Sequence, residues 1–500
     1  MEDSPIAKLH RDLLWQIFTI ITTLDLPKIG QRFDTYSSCP SPLTTAHHIS
    51  QVCASWRQLI IDSPSLWGNI IDLRSLRQES DTWRNEVLLR TGNSNLSIFG
   101  DICGKGWQHA KKFLEILLKN HWTRIQWVQV EFNDFDIVEW LQPDNGAWSA
   151  LGRPVPNLRF FSIRFVHNAR PPSICSSPGF ILFANHAPLL AHFQQNHLPI
   201  NLEASWTSSL ISLGLDSASN LKLSDLLETC SRMRSLQTLR LMFEYGQTKS
   251  PSLEGTLHHV KMPSLSTLVI GSPLDVSLAF LDHITPAPGC SFELFVDLNT
   301  QTITPTEFVV GQRIIAKFAN NYFCHWHATS FQLEIRPEFL RVGDTRGFTV
   351  SIYGSTTIPI PPFLPQALLG TFEPAHTSGV KTLWVTTRAL IHIINLHNGD
   401  DQQCPFPQIK TLKWEPDLFP DCTSLIMNFL ATRQKLGMPI EIFDFTEWRG
   451  SLPIPVDTKM LEEIPGLKVL LREKDKGQDT PRAYVCGSGR PQVLDAADTS

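Results

Sequence analysis

The chain has 500 residues, of which 42% are hydrophobic and 18% charged, with a net charge of −5 and 10 cysteines. That length calls for more than one hydrophobic core or an elongated repeat array, and the composition excludes wholesale disorder. No cluster of Lys and Arg marks a nucleic-acid surface, and the longest apolar stretch, Leu383 to Leu396, is broken by Arg388 and His392, too polar for a membrane span.

The first residues, Met1-Glu2-Asp3-Ser4-Pro5, carry acid where a secretory leader needs positive charge. The cysteines form no CxxC pair. Together these lead us to expect a soluble protein of the cytoplasm or nucleus with reduced thiols, and no nucleic-acid or membrane partner.

The first periodic segment predicts a helix with Leu13, Leu14, Ile17, Phe18 and Ile21 on one face. A loop is expected over 25–45, marked by Pro27, Gly30, Pro40 and Pro42. A second helix is expected over about 44–61, with Ile49, Val52, Cys53, Trp56, Leu59 and Ile60 on one side. Ser63-Pro64 supplies a cap with proline at the first helical position, opening a turn through Leu66-Trp67. Two helices and a turn bury too little to be secure alone, so this wide apolar face needs a partner, inside the chain or outside it.

Three runs carry a resemblance: Leu9-x-x-Asp12-Leu13-Leu14-x-x-Ile17-Phe18, Ile49-Ser50-Gln51-Val52-Cys53-x-x-Trp56-Arg57-x-Leu59-Ile60, and Ser63-Pro64-x-Leu66-Trp67. Together they resemble the F-box, in the version common in mushroom-forming fungi. The following Val87 to Ile98 is similar to the segment after the F-box in that family. His10 stands where the family usually has proline, and the stretch between the two helices is long. The resemblance implies an SCF-type ubiquitin ligase, in which the module binds a Skp-type adaptor and, through it, a cullin. It assigns adaptor binding to Leu9, Leu13, Leu14, Ile17, Phe18, Ile49, Val52, Cys53, Trp56 and Leu59, with Trp56 also serving the module's own packing.

Beyond residue 90 an apolar residue recurs at i, i+3 and i+5. The triplets are Ile125/Val128/Val130, Leu158/Phe161/Ile163, Leu210/Leu213/Leu215, Leu236/Leu239/Leu241, Leu265/Leu268/Ile270, Val380/Leu383/Val385 and Ile409/Leu412/Trp414. The last two positions of each share one face of a short strand. Helices are expected between them, at Trp107 to Leu118, Leu221 to Met233, Leu274 to Leu281, and from a capping box at Thr304-Pro305-Thr306-Glu307. First positions recur 26 (210 to 236), 29 (236 to 265) and 29 (380 to 409) residues apart, the range of leucine-rich repeats.

The expected fold is therefore α/β: a small all-α module over 1–75, then a curved, degenerate leucine-rich-repeat-like solenoid of short parallel strands and helices over 76–472, and a flexible tail over 473–500. Between about 290 and 380 the triplet weakens, although Ser291 to Val296, Phe331 to Ile335 and Phe348 to Tyr353 still read as strands. Loops are expected from Pro171 to Gly179 and from Ile358 to Pro365.

Cys324-His325-Trp326-His327 and His258-His259 lack the paired, spaced ligands that zinc needs, so no metal and no cofactor is expected. No GxSxG, HExxH, GxxxxGK[ST] or phosphate-binding GxGxxG appears, and no residue is singled out as catalytic. The expected function is that of a substrate-recognition adaptor, with an unknown protein substrate held on the repeat-like body. A non-catalytic repeat scaffold or receptor with a vestigial F-box is the alternative, and an enzyme with an unrecognised fold in residues 290 to 470 is a third reading.

Overall fold

In a computed structural model of the chain, the residues described are 9–23, 41–132, 148–166, 175, 179–216, 221–242, 257–298, 303–397, 406–416, 422–446, 457–475 and 478–489. The chain folds as two compact units, Met1–Arg240 and Leu241–Ser500. Most of the expected loop over 25–45, that from Pro171 to Gly179, and the end of the tail lie outside the described residues.

The first unit opens with helices α1 (Arg11–Thr23), α2 (Pro42–Ser50), α3 (Ala54–Ile61) and α4 (Pro64–Asn69). The single helix expected over 44–61 is thus two. Cys53 takes an extended conformation (φ −157°, ψ 168°) and becomes the N-cap of α3. At the end of α2 the Ser50 hydroxyl donates to the His47 carbonyl, a local bond that competes with helix propagation. Pro64 occupies the first turn of α4 as expected, but the Ser63 hydroxyl donates to the Leu59 carbonyl and caps nothing.

Immediately after α4, strand β1 (Ile71–Asp72) pairs in parallel with β2 (Leu96–Ile102), and α5 (Thr82–Arg90) lies between them in sequence. The Ser75 hydroxyl, 2.8 Å from the Asp72 carboxylate, is also 2.6 Å from the Ser41 hydroxyl at the cap of α2. The four-helix module thus continues directly into the first strand pair of the sheet.

After α6 (Trp107–His121) the strands continue in parallel: β3 (Ile125–Phe132), β4 (Phe160–Phe165), β5 (His192–Gln195) and β6 (Ser212–Leu215). Helix α7 (Leu223–Arg232) then leads to β7 (Thr238–Met242), whose Thr238 N–H reaches the Ile211 carbonyl beside β6. The triplet positions fall in register, so that Val128, Phe161, Phe193 and Leu213 form one buried ladder across β3 to β6. Phe183 wedges against Phe161, Phe193 and Trp206, and is held there by left-handed backbone at Phe183, Ala184 and Asn185.

The second unit contains a two-stranded parallel sheet, β8 (Val260–Met262) with a later strand over Ile284–Pro286, and a larger sheet that begins at β9 (Thr267–Ser272). Helix α8 (Leu274–Asp282) leads to β10 (Ile284–Pro286), and then to β11 (Ser291–Asp297), parallel to β9. Here the repeat breaks. After α9 (Pro305–Phe323), β12 (Ser330–Arg336), β13 (Phe339–Asp344) and β14 (Phe348–Tyr353) form an antiparallel meander that folds back until β14 lies beside β11. Its second turn is fixed by Asp344, whose Oδ1 accepts the backbone N–H groups of Arg346, Gly347 and Phe348, while Oδ2 accepts the Tyr322 hydroxyl at 3.0 Å.

Parallel pairing resumes on the far side of β12. After α10 (Leu364–Leu369) and α11 (Pro374–Thr377) come β15 (Thr382–Thr386), α12 (Thr387–His397), β16 (Thr411–Glu415), α13 (Thr423–Lys435), β17 (Ile442–Asp444) and β18 (Lys468–Asp475). Phe331, Leu383, Leu412, Phe443 and Val469 stack in register and are buried. The tail expected to be flexible from 473 instead contributes β19 (Gln478–Val485), antiparallel to β18. Pro481 and the polar composition hid this strand, yet Tyr484 and Cys486 are buried and alternate with exposed Ala483 and Val485.

Candidate adaptor-binding face

Helix α1 is apolar on two sides. At 100° per residue, Leu14, Phe18 and Thr22 point one way, and Leu13, Ile17, Ile20 and Ile21 point another. The first set turns inward. Phe18 is 1% exposed, and the Thr22 hydroxyl satisfies itself on the Phe18 carbonyl at 2.8 Å. The second set stays in solvent, with Ile20 56% exposed and Leu13, Ile17 and Ile21 also open. Val52, between α2 and α3, is 61% exposed.

The helix begins at His10, whose carbonyl accepts the Leu13 and Leu14 N–H groups. The imidazole Nδ1 of His10 takes the Asp12 N–H at 3.3 Å, so a side-chain cap stands where the resembled family has proline. Arg11 lies 3.7 Å from Asp62 at the end of α3, both exposed, a contact worth little.

Of the ten residues to which the resemblance assigns adaptor binding, Leu13, Ile17 and Val52 are exposed, and Leu9, Leu14, Ile49, Cys53 and Trp56 are half-buried. Phe18 and Leu59 are buried inside the module and present no surface, which corrects the expectation for both. Trp56 packs edge-on to Phe18, in keeping with a role in the module's own packing. Ile20 was missed, although it lies three residues from Ile17 and seven from Leu13, the spacing of one helix face.

Cys53 is free and half-buried, and the hydroxyl of Ser55 followed by the backbone of Trp56 draws its thiol below the usual range. Behind the face, Trp67 is fully buried, donates its indole N–H to the Ile60 carbonyl at 2.8 Å and carries the Arg90 guanidinium 4.6 Å above its ring. Burial pushes the Asp72 carboxyl up, against the hydrogen bonds from Ser75 and the Arg74 backbone.

Among the described residues, no group of three His, Cys, Asp or Glu side chains is placed to hold a metal, and no helix is long and apolar enough to cross a membrane. No protein-family model matches the chain, and no curated protein matches it either.

Proposed function

We propose that this chain is a substrate-recognition adaptor of an SCF-type ubiquitin ligase, with an F-box module that binds a Skp-type adaptor and, through it, a cullin. The observation that carries this reading is the open apolar stripe of α1, Leu13, Ile17, Ile20 and Ile21, joined by Val52 on a small helical module. Aliphatic side chains grouped this way on a water-facing helix mark an interaction site. The body, with its stacked parallel strands, would hold a protein substrate. The chain makes no bond itself; it raises the local concentration of an acceptor lysine near a charged ubiquitin carrier. Such an adaptor would work in the cytoplasm or nucleus.

A second reading, a scaffold with a vestigial F-box, is favoured by the burial of Phe18 and Leu59, which removes two expected contacts. Co-purification of the full chain with a Skp-type adaptor separates the two readings. A complex that is lost when Ile20 and Val52 become aspartate supports the ligase reading, and no complex with a folded chain supports the scaffold.

A further inference from the structure

The last helix of the module, α4, rests on the turn over 91–95 that joins α5 to β2. Gly68 lies so close to Asn95 that a side chain there would collide with the Asn95 carbonyl oxygen, and Pro64, at the start of α4, faces Gly92. Two side chains from the stretch where α6 passes into β3 hold this seat. Gln126 donates to the Asn69 Oδ1, at the end of α4, at 2.7 Å. Arg124 does more. Its Nε and Nη2 donate to the Ser94 carbonyl at 3.0 and 2.7 Å, and Nη2 also reaches the Thr91 hydroxyl at 3.0 Å.

A further contact of this guanidinium sets a condition on the whole arrangement. Arg124 Nη1 stands 3.2 Å from Nδ1 of His121, the last residue of α6, and both side chains are half-buried. A guanidinium has donors only, so Nδ1 must keep its lone pair and the ring must be neutral. Adding a proton sets two cations face to face. The neighbouring charges do not relieve this. Lys119 lies on the same helix, and Arg153 donates to the Leu118 and Lys119 carbonyls at 3.1 Å each, so both add positive charge. At the end of α5, Arg90 is paired with Glu86 at 2.7 Å. Burial, and then the Arg124 charge, hold the His121 imidazole below its ordinary value. The carbonyls at the end of α6 would alone favour a cation here; burial and Arg124 outweigh them.

We propose that His121 and Arg124 form an acid-sensitive latch, in which protonation of His121 weakens the guanidinium's hold on the 91–95 turn and loosens α4, and with it the helical module, on the sheet. The sign follows from linkage. The latch is intact above about pH 6.5, the value of a free imidazole, and is lost as pH falls through the lower value of the latched ring. Each unit of that lowering makes opening about tenfold more frequent on the acid side. The latch does not depend on what the module binds.

The test uses the full chain and two measurements. One is the titration of His121 by NMR with ring-labelled histidine, its signal assigned by its loss in His121→Gln. The other is amide hydrogen exchange, corrected for intrinsic rates, at about pH 7.5 and about pH 5, on either side of the imidazole range. Glutamine offers Arg124 an uncharged acceptor at both. In wild type the midpoint should lie below about 6.5, and exchange over 91–95 and α4 should rise on acidification by the factor that the measured shift dictates, while β4 to β6 stay protected. In His121→Gln that local rise should be absent. A midpoint at or above the free value, an equal rise in both proteins, or a rise spread evenly over the first unit would each overturn the proposal.

Discussion

Phe18 packs edge-on against Trp56, with ring centroids 4.9 Å apart and planes at 61°, and this pair closes α1 onto α3. The two apolar sides of α1 thereby differ: one packs inside the module, and the other stays in solvent. Phe18→Ala should therefore lower stability by roughly 3–5 kcal/mol, as large-to-small changes at buried aromatics do. Ile20→Asp and Val52→Asp should leave the melting temperature within the small range of surface substitutions. Thermal melts of the three variants check this; equal losses in all three would show that the outer stripe is packed as well.

Asp101 is buried beside Arg74 and Arg77, with Arg77 3.1 Å from its Oδ2 and the Cys103 thiol 2.5 Å away. Burial raises its carboxyl pKa, but the Cys103 hydrogen bond and the two guanidiniums outweigh burial and hold it below the usual value. A depressed folded-state pKa contributes stability above the unfolded value of about 3.9, and that contribution is lost as pH falls through the folded value. Asp101→Asn should be less stable at neutral pH and should show a flatter acid limb below about pH 4. Melting temperature against pH, for wild type and variant, gives the comparison. Parallel acid limbs would show that Asp101 is not a source of the slope.

Leu412 is fully buried between Leu383 and Phe443 in the second unit's ladder. Leu412→Ala should cost about 2–5 kcal/mol through the cavity it leaves, while adaptor capture by the still-folded chain stays at the wild-type level. Capture that falls along with stability would mean that the module depends on the second unit.

The i, i+3, i+5 triplets located seven strands correctly, because burial on one sheet face imposes that spacing wherever a turn enters a parallel strand. β5 escaped since its third position is Gln195, a buried side chain that accepts the Leu198 N–H at 2.7 Å instead of packing as an aliphatic. β17 obeys the same spacing at Ile440, Phe443 and Phe445, all buried, and was equally readable. In the β12–β14 meander, Phe331 to Ile335 and Phe348 to Tyr353 read as strands, but β13 and the antiparallel pairing did not, since hairpins need no crossover and the repeat spacing collapses there. Nor could periodicity tell Ile17 from Phe18: both are apolar and adjacent on α1, and only the contact with Trp56 separates inward from outward.

Binding of the full chain to a purified Skp-type adaptor, measured beside the folded Ile20→Asp/Val52→Asp variant, separates the ligase adaptor from the scaffold. Wild type should form a stable complex that the double variant abolishes, since hot-spot losses at an apolar interface reach about 2 kcal/mol or more per residue, while the variant's melting temperature stays unchanged. A folded wild-type chain that captures no adaptor, or a double variant that captures it equally well, would rule out adaptor binding through this stripe.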